Sequence, residues 1–83
     1  MNTVHLERNT AHVYDSLRAL LIGRAYVRYE SIDYERWGAE CGINAQTLRR
    51  RLRDMGDLTL EELRSIARPL GIDSLELRQA LPL

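Results

Sequence analysis

Apolar residues recur along this chain at the spacing of helices, not of strands. Val13, Leu17, Leu20 and Val27, with Leu21 beside them, predict a first helix from about Thr10 to the mid-twenties, with Gly23 as the weak point in its continuity. The stretch Arg28-Tyr-Glu-Ser-Ile-Asp33 is a connector. A second helix is expected over Tyr34 to Cys41 with Trp37 and Cys41 on its buried face. A third follows a turn of about three residues, and a loop centred on Gly56 spans Asp54 to Leu58. Leu60, Leu63, Ile66, Ala67 and Leu70 outline a fourth helix, and Leu75, Leu77, Ala80 and Leu81 a short fifth. The pattern is that of an all-α domain of four to five helices.

The residues at the seams give each helix a start and a stop. Asp33 is an N-cap for helix two, with Ile32 and Trp37 placed as a hydrophobic staple. Gly42 suits the left-handed residue that ends that helix, with Ile43 folding back as its apolar companion. Asn44 caps helix three, and Thr59 with Glu62 forms a capping box for helix four. Pro69 and Gly71 end that helix, after which Asp73 or Ser74 can cap the fifth.

Residues 42–55 carry the strongest functional signal. At about 100° per residue, Ala45, Leu48, Leu52 and Met55 share one face of a single helix. Gln46, Arg50 and Arg53 fall opposite, and Thr47, Arg49 and Arg51 flank them. Such a helix is held by one side and offers amide and guanidinium donors from the other, the groups that match acceptors on base edges and phosphates.

Composition narrows the classes. Eighty-three residues make one domain, residues 1–83, without room for a second core. The lone cysteine, Cys41, allows no internal disulfide and no zinc site of ordinary ligand count, and reads as a small buried hydrophobe. No apolar run approaches the ~20 residues of a membrane span. The opening Met1-Asn-Thr-Val-His-Leu-Glu-Arg8 lacks the pattern of a signal peptide, so a cytoplasmic location is expected. Net charge is zero, which argues mildly against nucleic acid, but residues 49–53 carry four positive charges and no negative one. All twelve basic residues are arginine, as a GC-rich genome would give. His5 and His12 have no ligand partner nearby, and no nucleophile–base pair, carboxylate pair or metal cluster stands out. Neither an enzyme nor a cofactor is expected.

The stretch from Ile32 through Trp37, Gly38, Gly42 and Leu48 to Leu52 resembles the phage-repressor and Cro type (lambda-repressor-like) of helix-turn-helix. The segment Leu58 to Ile72 is similar to that family's fourth helix and following turn, so the resemblance covers about residues 31–73, with the helix-turn-helix unit at about 33–55. Two positions depart from the pattern. Gly38 stands where the family usually has alanine, and Arg51 where an apolar residue is commoner, Leu52 taking over the anchoring. Residues 1–9 match nothing in the pattern and are read as a possible arm.

The resemblance implies a regulator that occupies double-stranded operator DNA in a bacterial or phage-infected cytoplasm, acting as a homodimer, with no small-molecule substrate. It implies base contacts from the first turns of helix three: Ala45, Gln46, Thr47, Arg49 and Arg50. The helical wheel independently favours Gln46 and Arg50. Ala45 offers only a methyl contact and reads as packing inward. Phosphate contacts are expected near Tyr34, at Asn44 and at Arg53; Arg36 either joins them or pairs with Glu40. Trp37 reads as core and not as a stacking platform. The dimer surface would be Leu75, Leu77, Leu81 and Leu83 or residues 1–9, unless Leu77 and Leu81 simply complete the core. Two other classes fit the same residues: a protein-interaction module such as an anti-repressor, its arginines facing an acidic partner, and an architectural or RNA binder with little sequence preference.

Overall fold

In the computed structural model, which describes residues 13–81, five α-helices follow one another: α1 (Asp15–Tyr29), α2 (Tyr34–Cys41), α3 (Ala45–Arg53), α4 (Leu60–Ala67) and α5 (Ser74–Ala80). Single 3-10 turns at Met55–Asp57 and Arg68–Leu70 link α3 to α4 and follow α4. Thr10, His5, His12, Leu83 and the arm at residues 1–9 lie outside the described residues. No helix among the described residues is long and apolar enough to cross a membrane.

The short helices begin where their caps dictate. The Asp33 side chain accepts from the Arg36 amide, and the Asn44 side-chain Oδ1 from the amides of Gln46 and Thr47. Both Thr59/Glu62 and Asp73/Glu76 form reciprocal capping boxes. Gly42, at φ 75°, ends α2; its amide and that of Ile43 both donate to the Gly38 carbonyl. This paired bond to one carbonyl is what turns the chain within three residues.

Helix α1 corrects the expected phase. It runs without a break through Gly23, and its buried stripe is Leu17, Leu21, Ala25 and Tyr29. Val13 and Val27 stand exposed, Val27 at 77%, and Leu20 is half-buried. Apolar residues occupy more than one face of this helix, and packing selects the i, i+4 row. Leu60, expected in the core, is also exposed; of the C-terminal leucines Leu75 is exposed and Leu77 buried. Met55 enters the core from the 3-10 turn and not from α3, which stops at Arg53.

Trp37 is fully buried at the centre, among Leu17, Leu21, Leu48, Leu52, Leu63 and Ile66. Its indole Nε1–H donates to the Ile66 carbonyl at 3.0 Å, which satisfies the one polar atom this ring brings inside. Arginines of α1 tie the periphery together. Arg24 donates to Glu76 at 2.6 Å and to the Gly71 carbonyl, and Arg28 to the Pro69 carbonyl and to Glu40.

Candidate nucleic-acid interface

Helix α3 is fixed from three directions. Leu48 and Leu52 are buried beneath it, each contributing about 1.5–3 kcal/mol of apolar transfer. Asn44 closes its N-terminus. At its C-terminus, Arg18 of α1 donates Nε–H to the Leu52 carbonyl at 2.8 Å and Nη2–H to the Arg53 carbonyl at 3.2 Å. The guanidinium thus satisfies two of the carbonyls a helix end leaves open and places positive charge at the negative end of the dipole. Contact between Arg18 and residues 34 and 35 positions away leaves no local trace in the sequence.

The outer side of α3 is the exposed one. Gln46, Arg49, Arg50 and Arg53 are exposed and Thr47 is half-buried. Among the described residues no carboxylate lies within ion-pair distance of Arg49 or Arg50, so a face neutralised by local salt bridges is not what forms here. Arg51 differs: half-buried, it donates to Glu62 of α4 at 3.3 Å. Arg53 meets Asp54 only loosely, at 3.6 Å with both side chains exposed, a pairing worth roughly 0–1 kcal/mol. Leu52 anchors the helix and Arg51 lies beside it.

Tyr34, Gln46 and Arg49 meet around one open notch of about 480 Å³ between the starts of α2 and α3, floored by Ile32 and Ala45. The Tyr34 ring stacks on Trp37 (centroids 6.1 Å apart, 13° between planes), and the Arg49 guanidinium lies over Tyr34 at 5.5 Å. Ala45 is half-buried in the floor, in line with an inward-packing role. A second open hollow of about 600 Å³, lined by Tyr14, Arg18, Leu52 and Arg53 among others, separates α1 from the end of α3.

Arg36 lies elsewhere. Its guanidinium sits over the Tyr29 ring at 5.1 Å, and it lines neither hollow. Its alternative partner Glu40 is taken by Arg28 and by the Tyr29 hydroxyl, which donates at 2.7 Å. Burial, and then this bond to Glu40, push the Tyr29 hydroxyl up to about 12. Burial likewise raises the half-buried Cys41 thiol, which keeps it in the unreactive neutral form.

The two helix starts present different donors. Glu35 and Asp33 stand on its rim, and Asp33 already accepts the Arg36 amide. An anion at the start of α2 would therefore meet carboxylates, which leaves the Tyr34 side chain as the favourable donor there. At Asn44 the side-chain oxygen occupies the Gln46 and Thr47 amides, so the side-chain NH2 group is its free donor toward a phosphate. Among the described residues there is no group of three or more His, Cys, Asp or Glu side chains that could hold a metal ion. Comparison of the chain with protein-family models, with curated proteins and with solved structures gives no match.

Proposed function

We propose that this chain is a sequence-specific double-stranded DNA-binding transcriptional regulator of the phage-repressor or Cro kind, acting by operator occupancy. The observation that carries the reading is the asymmetry of α3. Three anchors hold it to the body, while Gln46, Arg49 and Arg50 face outward without a carboxylate partner among the described residues. Helix α3 would enter the major groove and α2 would cross the backbone, a helix-turn-helix docking. Gln46 pairs bidentately with adenine, and Arg49 and Arg50 with guanine. Thr47 flanks them. Tyr34, the Asn44 amide and Arg53 reach phosphates; Arg36, drawn back over Tyr29, is the weakest member of that set.

One module contacts few base pairs, so useful affinity calls for a homodimer over two half-sites. Leu77 belongs to the core; among the described residues Leu60, exposed, and half-buried Leu81 line one apolar hollow, and Leu75 of α5 is exposed.

Selection of the protein on a random-sequence duplex library tests the reading. The expected result is an enriched motif, with affinity falling as salt rises. Gln46→Ala and Arg50→Ala should each flatten the preference at one base pair, by about 5- to 150-fold. If both variants enrich the motif of the parent unchanged, α3 is not the reading element. Failure to bind any duplex at low salt would favour a protein partner for the arginine face.

A further inference from the structure

Three side chains form a column that starts in the core and ends on the exposed side of α3. The Trp37 indole is pinned by its bond to the Ile66 carbonyl. Tyr34 stacks on that indole nearly parallel, and the Arg49 guanidinium lies over the Tyr34 ring. Trp37 is fully buried, Tyr34 half-buried and Arg49 exposed, so the column runs from the core to the surface. Arg49 has no carboxylate partner among the described residues, so the ring is its documented support. A guanidinium lying on an aromatic face keeps its N–H edge free, whereas a guanidinium in a carboxylate fork does not.

We propose that Tyr34 is a positioning residue that holds the Arg49 guanidinium in place to read a guanine through its O6 and N7 acceptors. The inference rests on the DNA-binding reading above and reassigns Tyr34 within it. The ring acts on specificity through Arg49, separately from any phosphate contact of the hydroxyl. An unsupported arginine would have to order several rotatable bonds on binding; the stack has already ordered them. Gln46 lines the same notch one helical turn away, so the two would read neighbouring base pairs.

The two roles of Tyr34 separate by substitution. Arg49→Ala identifies the base pair that Arg49 reads. Tyr34→Leu should weaken the guanine preference at that same pair by about two- to fivefold, the worth of a surface cation–π contact, and leave the slope of affinity against salt unchanged. Tyr34→Phe should restore the preference, and the Arg49→Ala/Tyr34→Leu double variant should be no less selective than Arg49→Ala alone. Proton NMR without DNA gives an independent readout: the Arg49 side-chain protons should be ring-current shifted in the parent and in Tyr34→Phe, and not in Tyr34→Leu. Because Tyr34→Leu also touches the core, Arg49→Lys serves as a second probe that leaves the packing alone. It keeps the charge, loses the planar edge, and should flatten the same base pair with the salt slope intact.

The proposal is overturned if Tyr34→Phe and Tyr34→Leu lose affinity equally on all sequences, since the hydroxyl then acts on phosphate. It is also overturned if Tyr34→Leu keeps the full guanine preference, or if Arg49→Lys does. A parent protein that enriches no motif, with the ring-current shift present, would overturn the DNA-binding reading while leaving the column itself standing.

Discussion

Two helical glycines should respond to the same substitution with opposite signs. Gly23 lies inside α1, exposed, and a Cβ built on it meets nothing within 4 Å. Gly23→Ala gains about 0.5–1 kcal/mol of helix propensity at no steric cost. Gly38 lies inside α2 and is buried, and a Cβ there would run into the Ile43 carbonyl oxygen. That oxygen is backbone, in the three-residue turn that sets α3, so no side-chain rotation relieves the contact. The propensity gain of about 1 kcal/mol is then outweighed by overpacking of about 1–3 kcal/mol. Weakening of the Gly42 and Ile43 amide bonds to the Gly38 carbonyl adds a cost of about 0.5–1.5 kcal/mol for each bond lost. The net expectation is destabilisation by about 1–3 kcal/mol for Gly38→Ala. At roughly 4–8 °C per kcal/mol for a domain of this size, thermal unfolding followed by circular dichroism resolves both effects. Gly23→Ala should melt a few degrees above the parent and Gly38→Ala well below it. A Gly38→Ala protein that melts with or above the parent would refute the reasoning, because it would mean that the α2–α3 contact has room for the alanine that repressor-like proteins usually carry there.

Two further predictions concern the scaffold. Thr59→Ala removes the hydroxyl that accepts from the Glu62 amide and should cost about 0.5–2 kcal/mol in urea denaturation. The Thr59 amide, and then Arg51, hold the Glu62 carboxyl below its ordinary value of 4.5, so its contribution is present above that pH and lost as pH falls through the lowered value. Glu62→Gln should therefore flatten the acid limb of the stability curve; an unchanged limb would show that the box does not hold the carboxylate. Tyr29 has the opposite sign: its folded value of about 12 lies above the ordinary 10.0, so its contribution is intact below pH 10 and is lost as pH rises toward 12. In an ultraviolet titration the Tyr29 signal, identified by its loss in Tyr29→Phe, should appear well above pH 10; if it appears near pH 10 with the fold intact, the Tyr29–Glu40 contact is wrong.

What the sequence disclosed was chiefly its local chemistry. Asp33, Gly42, Asn44 and the Thr59/Glu62 box act within three or four residues of themselves, and each forms the cap or turn its residue type predicts. The stripe of α3 was equally legible, because Leu48 and Leu52 are its only large apolar residues and leave no choice of face. Helix α1 offered a choice: Val13, Leu20 and Val27 are as periodic as Leu17, Leu21 and Ala25, and only packing against the rest of the fold decides between them. Contacts over long sequence separations left no signal. Arg18 reaches α3 across 34 residues, Arg24 reaches Glu76 across 52, and the Tyr34–Arg49 stack depends on how α2 and α3 cross.

The neutral total charge takes on a different meaning once the arginines are sorted by what they touch. Arg24 and Arg28 engage Glu76 and Glu40 on the body of the molecule, and Arg51 engages Glu62 beside the core. Glu76 and Glu40 are thereby engaged away from α3, Glu62 is held on its flank by Arg51, and the first turn of α3 carries no acid. Neutrality is then compatible with a basic face, but with a small one: Arg49, Arg50 and the loosely paired Arg53. On the DNA-binding reading these three cations, whether they meet a base or a phosphate, displace about three counterions per copy, so affinity should fall only some 30- to 50-fold between 50 and 200 mM salt, against about 10³- to 10⁵-fold for proteins with six to ten phosphate contacts. So weak a backbone grip cannot hold a single copy on an operator at physiological salt. On the DNA-binding reading, the small number of free arginines on α3 is itself the reason that two copies must bind together, and a monomeric protein with tight, steeply salt-dependent binding would contradict it.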